Sequence, residues 1–332
     1  MTTITALSDR FELVTVPRRH GVPSFAQDVA KGLQAKPKRL SSKYLYDAVG
    51  SALFDAITCL PEYYLTRAET EILSEWGWQI VRLLDAPVDF LELGSGSAIK
   101  TRLLIGEALR VQDDLRYSPI DISTEALRTS SLALVEAFPT LWVRAYAGDY
   151  FDVLETVRVR SDRKMLAMLM GSNIGNYEPD EAKNLLGLLG GALRSGDGLL
   201  LGADLKKDRA TLELAYDDPA GVTAAFDRNL IARINRELDA DFDARQFAHV
   251  ARYDEVRGAV DSFLEAREDV AASVRSANVR VAFSAGERLH TESAYKFDDA
   301  DIIRLGEDAG FRSGAAWHDR ARRFSVHLLV RR

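Results

Sequence analysis

The sequence predicts an α/β fold in which a mostly parallel sheet carries helices on both faces and a second, discontinuous domain interrupts the pattern. Three observations carry this expectation. Short apolar runs of strand length alternate with helical stretches from Val88 to Ala203. The first of these runs ends in a glycine-rich loop, Gly94-Ser95-Gly96. The alternation stops after Asp204 and resumes only near Asp299. Continuous apolar strands separated by helices are the mark of a sheet buried on both faces.

The elements follow in order. Residues 1–19 read as a loosely ordered N-terminus. Thr66-Arg67-Ala68-Glu69 fits a capping box and starts a helix running to about Leu84. Val88 to Leu93 is the first buried strand, and Lys100 to Leu109 its helix. Arg116 to Ile122 and Thr124 to Ala137 form the second pair. Leu141 to Ala147 is a third strand, Lys164 to Met170 a fourth, Asp180 to Leu193 a helix and Gly198 to Ala203 a fifth strand. About ninety residues after Asp204 read as mostly helical, followed by a Val- and Phe-rich segment. Asp299 to Ala309 is a helix closed by Gly310. Gly310 to Trp317 and Phe324 to Val330 read as an antiparallel pair at the sheet edge. The main domain is therefore placed at residues 69–206 and 297–332, and the second at 20–68 and 207–296.

Composition narrows the function classes. The 332 residues are 47% apolar and 28% charged, an ordinary globular mixture. The opening residues hold no apolar signal core, and no apolar run approaches the ~18–20 residues of a membrane helix. One cysteine, Cys59, precludes an internal disulfide and a thiolate metal cluster. Together these point to a cytoplasmic protein that uses no metal. The net charge of −7 argues against nucleic acid. The arginines at 320, 322, 323, 331 and 332 bracket an apolar run and read as solvated strand ends.

The glycine loop carries the chemistry. A loop that turns sharply with a ligand against its backbone needs glycine. Dinucleotide enzymes use Gly-x-Gly-x-x-Gly, and here the third position is Ile99. Glu92 stands just before the loop. A carboxylate beside a sulfonium and an ammonium is favourable, whereas beside a pyrophosphate it is not, so the loop fits S-adenosylmethionine better. Asp121 ends the second strand, where such folds hold ribose hydroxyls, and Asp149 ends the third beside Tyr150 and Phe151, which suits an adenine. Either aspartate alone could be a helix cap. After the fourth strand comes Gly171-Ser172-Asn173-Ile174-Gly175-Asn176, where an amide can accept an amine N–H and aim the nitrogen lone pair at a methyl group.

Tyr46-Asp47-Ala48-Val49-Gly50-Ser51, Leu60-Pro61-Glu62-Tyr63-Tyr64, Thr66-Arg67-Ala68-Glu69, Glu92-Leu93-Gly94-Ser95-Gly96, Lys100-Thr101-Arg102, Pro119-Ile120-Asp121-Ile122-Ser123, Gly175-Asn176, Ala215-Tyr216-Asp217-Asp218, Gly221 to Phe226 and Thr291-Glu292 are long, specific strings. Through them the chain, from about Ser41 to its end, resembles the bacterial histidine Nα-methyltransferases of ergothioneine biosynthesis. The resemblance implies a Rossmann-like class I methyltransferase sheet with a discontinuous substrate-binding domain. It also implies trimethylation of the α-amino group of L-histidine to hercynine, with S-adenosylmethionine as methyl donor, by a monomer. By the same resemblance Gly94, Lys100, Asp121, Asp149 and Tyr150 contact S-adenosylmethionine. Asn176 is the catalytic residue that holds the α-amino group, and Tyr216 binds the carboxylate with Tyr46. Tyr63 or its neighbour Tyr64 lies against the imidazole, and Glu292 hydrogen-bonds it. Tyrosine rings suit a zwitterion that becomes a quaternary ammonium, because their faces attract cations.

One departure bears on substrate choice. Two residues after the glutamate the family usually carries a serine that contacts the imidazole, and here Ala294 stands there. The second ring nitrogen is left to water or to Ser293. An Nα-methyltransferase for another aromatic or small amino acid, or a non-catalytic S-adenosylmethionine-binding protein, are the alternative readings.

Overall fold

A computed structural model describes residues 3–17, 23–85, 87–156 and 161–332. The chain divides into two compact units, Met1–Arg19 with Leu65–Lys206 and Lys296–Arg332, and His20–Tyr64 with Lys207–Tyr295.

The first unit is built on a nine-stranded sheet. Its order is Thr3–Ser8, Phe11–Thr15, Leu141–Ala147, Leu115–Asp121, Val88–Leu93, Lys164–Leu169, Gly198–Asp204, Phe324–Arg331, Phe311–His318. The six strands from Phe11–Thr15 to Gly198–Asp204 run parallel, and the last two are antiparallel. Val88–Leu93 and Gly198–Asp204 are buried at every position, as strands covered on both faces must be. Ser123 caps the helix Thr124–Ala137 by accepting the Ala126 N–H, and Pro179 opens the helix Pro179–Ala192, where its missing N–H is not needed. Every parallel strand thus delivers its carboxyl end to one rim of the sheet, the rim where open α/β sheets hold ligands.

Two sequence expectations are corrected in this unit. Residues 1–19 were expected to be loosely ordered, but Thr3–Ser8 and Phe11–Thr15 extend the sheet. Phe11, Leu13 and Val14 bury themselves, which holds the second strand, while the first is an edge exposed at every position. Nor is Thr66-Arg67-Ala68-Glu69 a capping box: the helix begins at Leu65, and Glu69 is turned inward.

The second unit contains the helices Phe25–Gln34, Ala48–Thr58, Arg209–Tyr216 and Val222–Leu238. Its sheet has the order Lys38–Arg39, Arg288–Tyr295, Ala259–Ala266, Phe247–Asp254, and Val270–Val274 pairs with Val279–Phe283. The expectation of a mostly helical insert holds only to Leu238; five strands follow. Val279–Phe283 alternates buried and exposed positions at period two, which is a strand pattern.

Candidate functional site

The strand Val88–Leu93 ends at Gly94, whose N–H donates to Ile120 O at 2.8 Å and whose φ is +72°. A Cβ there would lie 2.3 Å from Tyr150 Oη and 2.6 Å from Asn173 Nδ2, so the backbone and two side chains close on one point. Gly96, with φ +50°, would meet nothing within 4 Å among the described residues: its backbone is open. Its N–H donates to Asp121 Oδ2 at 3.0 Å, and the Ser123 N–H donates to Oδ1 at 2.8 Å. Burial pushes the Asp121 carboxyl upward in pKa, against the N–H groups of Ser123, Gly96 and Ile122. The Asp121 carbonyl accepts the Gly148 N–H at 2.9 Å, which ties the third strand end to the second. Asp149 follows and accepts the Phe151 N–H at 3.1 Å. Gly94, Asp121, Asp149 and Tyr150 are thereby brought to adjoining strand ends.

The interior behind the loop differs from expectation. Glu92, read as a carboxylate facing a cation, is 3% exposed and accepts from Thr101 Oγ1 at 2.7 Å and from the Tyr117 hydroxyl. Burial pushes its pKa up to about 7, with the Tyr117 and Thr101 hydrogen bonds and the Lys100 charge acting the other way. Lys100, the expected cofactor residue, also pairs with Glu69. Glu69 is fully buried and also takes the Gly171 N–H at 2.9 Å. A Cβ on Gly202 would fall 2.0 Å from Glu69 Oε1, so that glycine makes room for the carboxylate. Sequence reading missed Glu69, although its spacing from Leu65, Ile72 and Leu73 puts it on the apolar stripe of its helix.

The loop after the fourth strand starts with Gly171 and Ser172 in the left-handed region. Ser172 Oγ accepts the Asp204 N–H at 3.0 Å, which anchors the short 3₁₀ turn Asn173–Asn176. Asn173, which sequence reading passed over, faces Gly94; Asn176 ends the turn, half-buried.

In the second unit the structure gathers three of the expected tyrosines. Tyr46 lies 5.5 Å from Phe54 and 5.4 Å from Phe226, Phe54 lies 6.0 Å from Tyr63, and Tyr63 lies 6.4 Å from Tyr216, centroid to centroid. These are edge-on contacts that aromatic rings favour. Tyr64 is buried, and Lys207 Nζ donates to its hydroxyl at 2.6 Å. His249 Nδ1 lies 2.7 Å from Asp227 Oδ2, and Nε2 lies 2.8 Å from the Tyr216 carbonyl oxygen. Both partners are acceptors, so the imidazolium, with both ring nitrogens protonated, satisfies the two together. Burial lowers the His249 pKa, but Asp227 and the Tyr216 carbonyl carry it above the ordinary value.

Glu292 and Ala294 lie on one face of the strand Arg288–Tyr295, opposite Ser262 and Val260 of its antiparallel neighbour. Ser293, held open as a ring partner, is on the other face, where its hydroxyl donates to Asp261 Oδ1 at 2.6 Å and lies 3.0 Å from His290 Nε2.

A family model described as "histidine-specific methyltransferase, SAM-dependent" matches residues 25–331. This chain belongs to that family. The histidine N-alpha-methyltransferase of Mycolicibacterium smegmatis is 41% identical over 306 residues, covering 92% of this chain and 94% of that protein. The Mycobacterium tuberculosis protein of the same name matches to the same extent. Ergothioneine biosynthesis protein 1 of Schizosaccharomyces pombe is 27% identical over 88% of this chain and 39% of its own. A histidine-specific methyltransferase takes its methyl group from S-adenosylmethionine, and the residues here fit that group: the open backbone at Gly96, a half-buried carboxylate at Asp121 and an aromatic ring at Tyr150 converge on the strand ends. Among the described residues no group of three or more His, Cys, Asp or Glu is placed to hold a metal ion, and no helix is long and apolar enough to cross a membrane.

Proposed function

We propose that this enzyme transfers methyl groups from S-adenosylmethionine to the α-amino nitrogen of L-histidine, three times, giving the trimethyl betaine hercynine for ergothioneine biosynthesis. The observation that carries the reading is the aromatic cluster of Tyr46, Phe54, Tyr63, Phe226 and Tyr216 in a chain so close to two histidine N-alpha-methyltransferases. Such a cluster suits a substrate whose nitrogen becomes permanently cationic.

S-adenosylmethionine, when bound, supplies an electrophilic methyl group. Gly94, Asp121, Asp149 and Tyr150 hold it; Asp121 offers the ribose hydroxyls a charged acceptor. Lys100, which also pairs with Glu69, holds it with them. The Asn176 amide oxygen accepts an N–H of the amine and fixes the direction of its lone pair. Tyr216 and Tyr46 donate hydroxyls to the carboxylate, Tyr63 rather than Tyr64 flanks the ring, and Glu292 accepts the imidazole N–H. Positioning of this kind can lower a bimolecular barrier by roughly 7–11 kcal/mol in favourable cases.

The test is an assay of the purified protein with S-adenosylmethionine and a panel of amino acids, with products resolved by mass. Hercynine from histidine is expected, and Asn176→Ala should abolish it while cofactor affinity stays near wild type. A second reading, an Nα-methyltransferase for another amino acid, draws on Ala294, which offers a ring nitrogen nothing. Preferential methylation of tryptophan or phenylalanine would establish it in place of the first.

A further inference from the structure

We propose that Ser262 is a specificity-determining residue of the amino-acid site, donating its hydroxyl to the imidazole nitrogen that Glu292 cannot serve. The inference rests on the reading that the substrate is histidine and that Glu292 meets its ring.

A neutral imidazole presents one N–H and one bare nitrogen. The Glu292 carboxylate can accept from the first and can give nothing to the second. A buried acceptor left without a donor weakens binding. Ala294, on the same strand face, has no donor, and Ser293 is committed to Asp261 on the far face.

Ser262 stands directly across the antiparallel pair from Glu292. Residues so placed share a face, with Cβ atoms about 4.5–5.5 Å apart. Ser262 is buried, and its carbonyl accepts from Thr291 Oγ1 at 3.0 Å. Its hydroxyl enters no hydrogen bond among the described residues. The ladder shifts by one residue between Ser262 and Phe263, and such bulges commonly re-aim a side chain at a binding site. The same face carries His249, which pairs with Leu264 two residues beyond Ser262 and holds the carbonyl of Tyr216. The proposed ring contact and the residue that holds the proposed carboxylate anchor therefore belong to one surface of one sheet. The serine supplies, from the neighbouring strand, the donor that position 294 lacks.

The experiment is a calorimetric titration of histidine into wild type, Ser262→Ala, Ala294→Ser and the double variant, with tryptophan and phenylalanine as ring controls. Ser262→Ala should weaken histidine about tenfold and the controls less than about twofold. Ala294→Ser alone should change histidine affinity less than about twofold, and in the double variant it should recover most of the loss. Equal losses for all three amino acids, or none, overturn the proposal. So does an Ala294→Ser variant that binds histidine about tenfold tighter than wild type, because the nitrogen was then unserved; this arm stands even if Ser262→Ala does not fold. Wild type that binds tryptophan or phenylalanine but not histidine overturns the histidine reading first, and the role of Ser262 with it.

Discussion

Gly96 donates its backbone N–H to Asp121 Oδ2 at 3.0 Å, so the glycine loop and the end of the neighbouring strand form one hydrogen-bonded rim. The second oxygen takes the Ser123 N–H, and the remaining lone pairs are what a ligand hydroxyl can use. Asp121→Ala should weaken S-adenosylmethionine binding by roughly 1.5–3 kcal/mol, the range for a hydrogen bond to a charged group. Calorimetry on the folded variant checks this, and unchanged affinity removes Asp121 from the cofactor site.

The two loop glycines should respond differently to the same substitution. Both have positive φ, which costs an alanine about 1–2 kcal/mol. At Gly94 the new methyl also strikes the Tyr150 hydroxyl and the Asn173 amide. At Gly96 it enters open space. Gly94→Ala should therefore lower Tm more than Gly96→Ala, and Gly94→Ala/Tyr150→Phe should regain part of the difference. Thermal melts without cofactor measure all three.

The sheet was legible because its strands are either buried throughout, as Val88–Leu93 and Gly198–Asp204 are, or alternate buried and exposed positions, as Leu141–Ala147 does at its start; the helix Thr124–Ala137 stands where periodicity and its cap put it. The N-terminal strand was not legible, because Thr3–Ser8 is an exposed edge held by hydrogen bonds to its neighbour. At the site, glycines and strand-end aspartates announce themselves by spacing. Glu69 and His249 do not: each acts through groups far away in sequence, Glu69 on Gly171 and His249 on Asp227 and Tyr216. Ser262 escaped for the same reason, since only strand register places it opposite Glu292.

Lys100 is the cation beside a fully buried carboxylate. Removing it should leave Glu69 buried without its cation, at roughly 3–5 kcal/mol. Lys100→Met should accordingly lower stability more than Glu69→Gln/Lys100→Met, which removes both charges. Denaturant melts of the two proteins decide it. If the double variant is the less stable, Glu69 does not depend on Lys100.

Glu92 titrates against the fold. Its carboxyl is pushed up to about 7 by burial, from an ordinary 4.5. The folded protein therefore holds this proton more tightly than the unfolded chain. Its contribution to stability is full below about pH 4.5 and is lost as pH rises through about 7. Glu92→Gln should remove that decline, so the stability of wild type minus that of the variant should fall across the window and level off above it. Chemical denaturation of both proteins at stepped pH values measures the difference, and a flat difference places the Glu92 pKa near that of an exposed carboxyl.

His249 should couple protonation to the amino-acid site while leaving the cofactor site alone. Its two ring nitrogens face Asp227 Oδ2 and the Tyr216 carbonyl, both acceptors, so the arrangement is complete only in the imidazolium. Its folded pKa is raised above 6.5; the stability it contributes is present below that value and is lost as pH rises through the folded pKa. The aspartate it faces is buried, and the other oxygen, Oδ1, has no partner among the described residues. Deprotonation leaves one of the two contacts without a donor, and either the Tyr216 carbonyl or the Asp227 carboxylate is then unpaired. His249→Gln keeps one side-chain donor group and no titrating charge. This variant should be less stable than wild type by about 1–3 kcal/mol at pH 6 and should lose the decline that wild type shows at higher pH. Histidine affinity should fall with the position of Tyr216, while S-adenosylmethionine affinity, proposed to rest on Gly94, Asp121 and Tyr150, should not move. Ligand-free melts at stepped pH and two separate titrations give the three readouts. Parallel losses of both affinities would show that His249 supports the whole fold and does not position Tyr216.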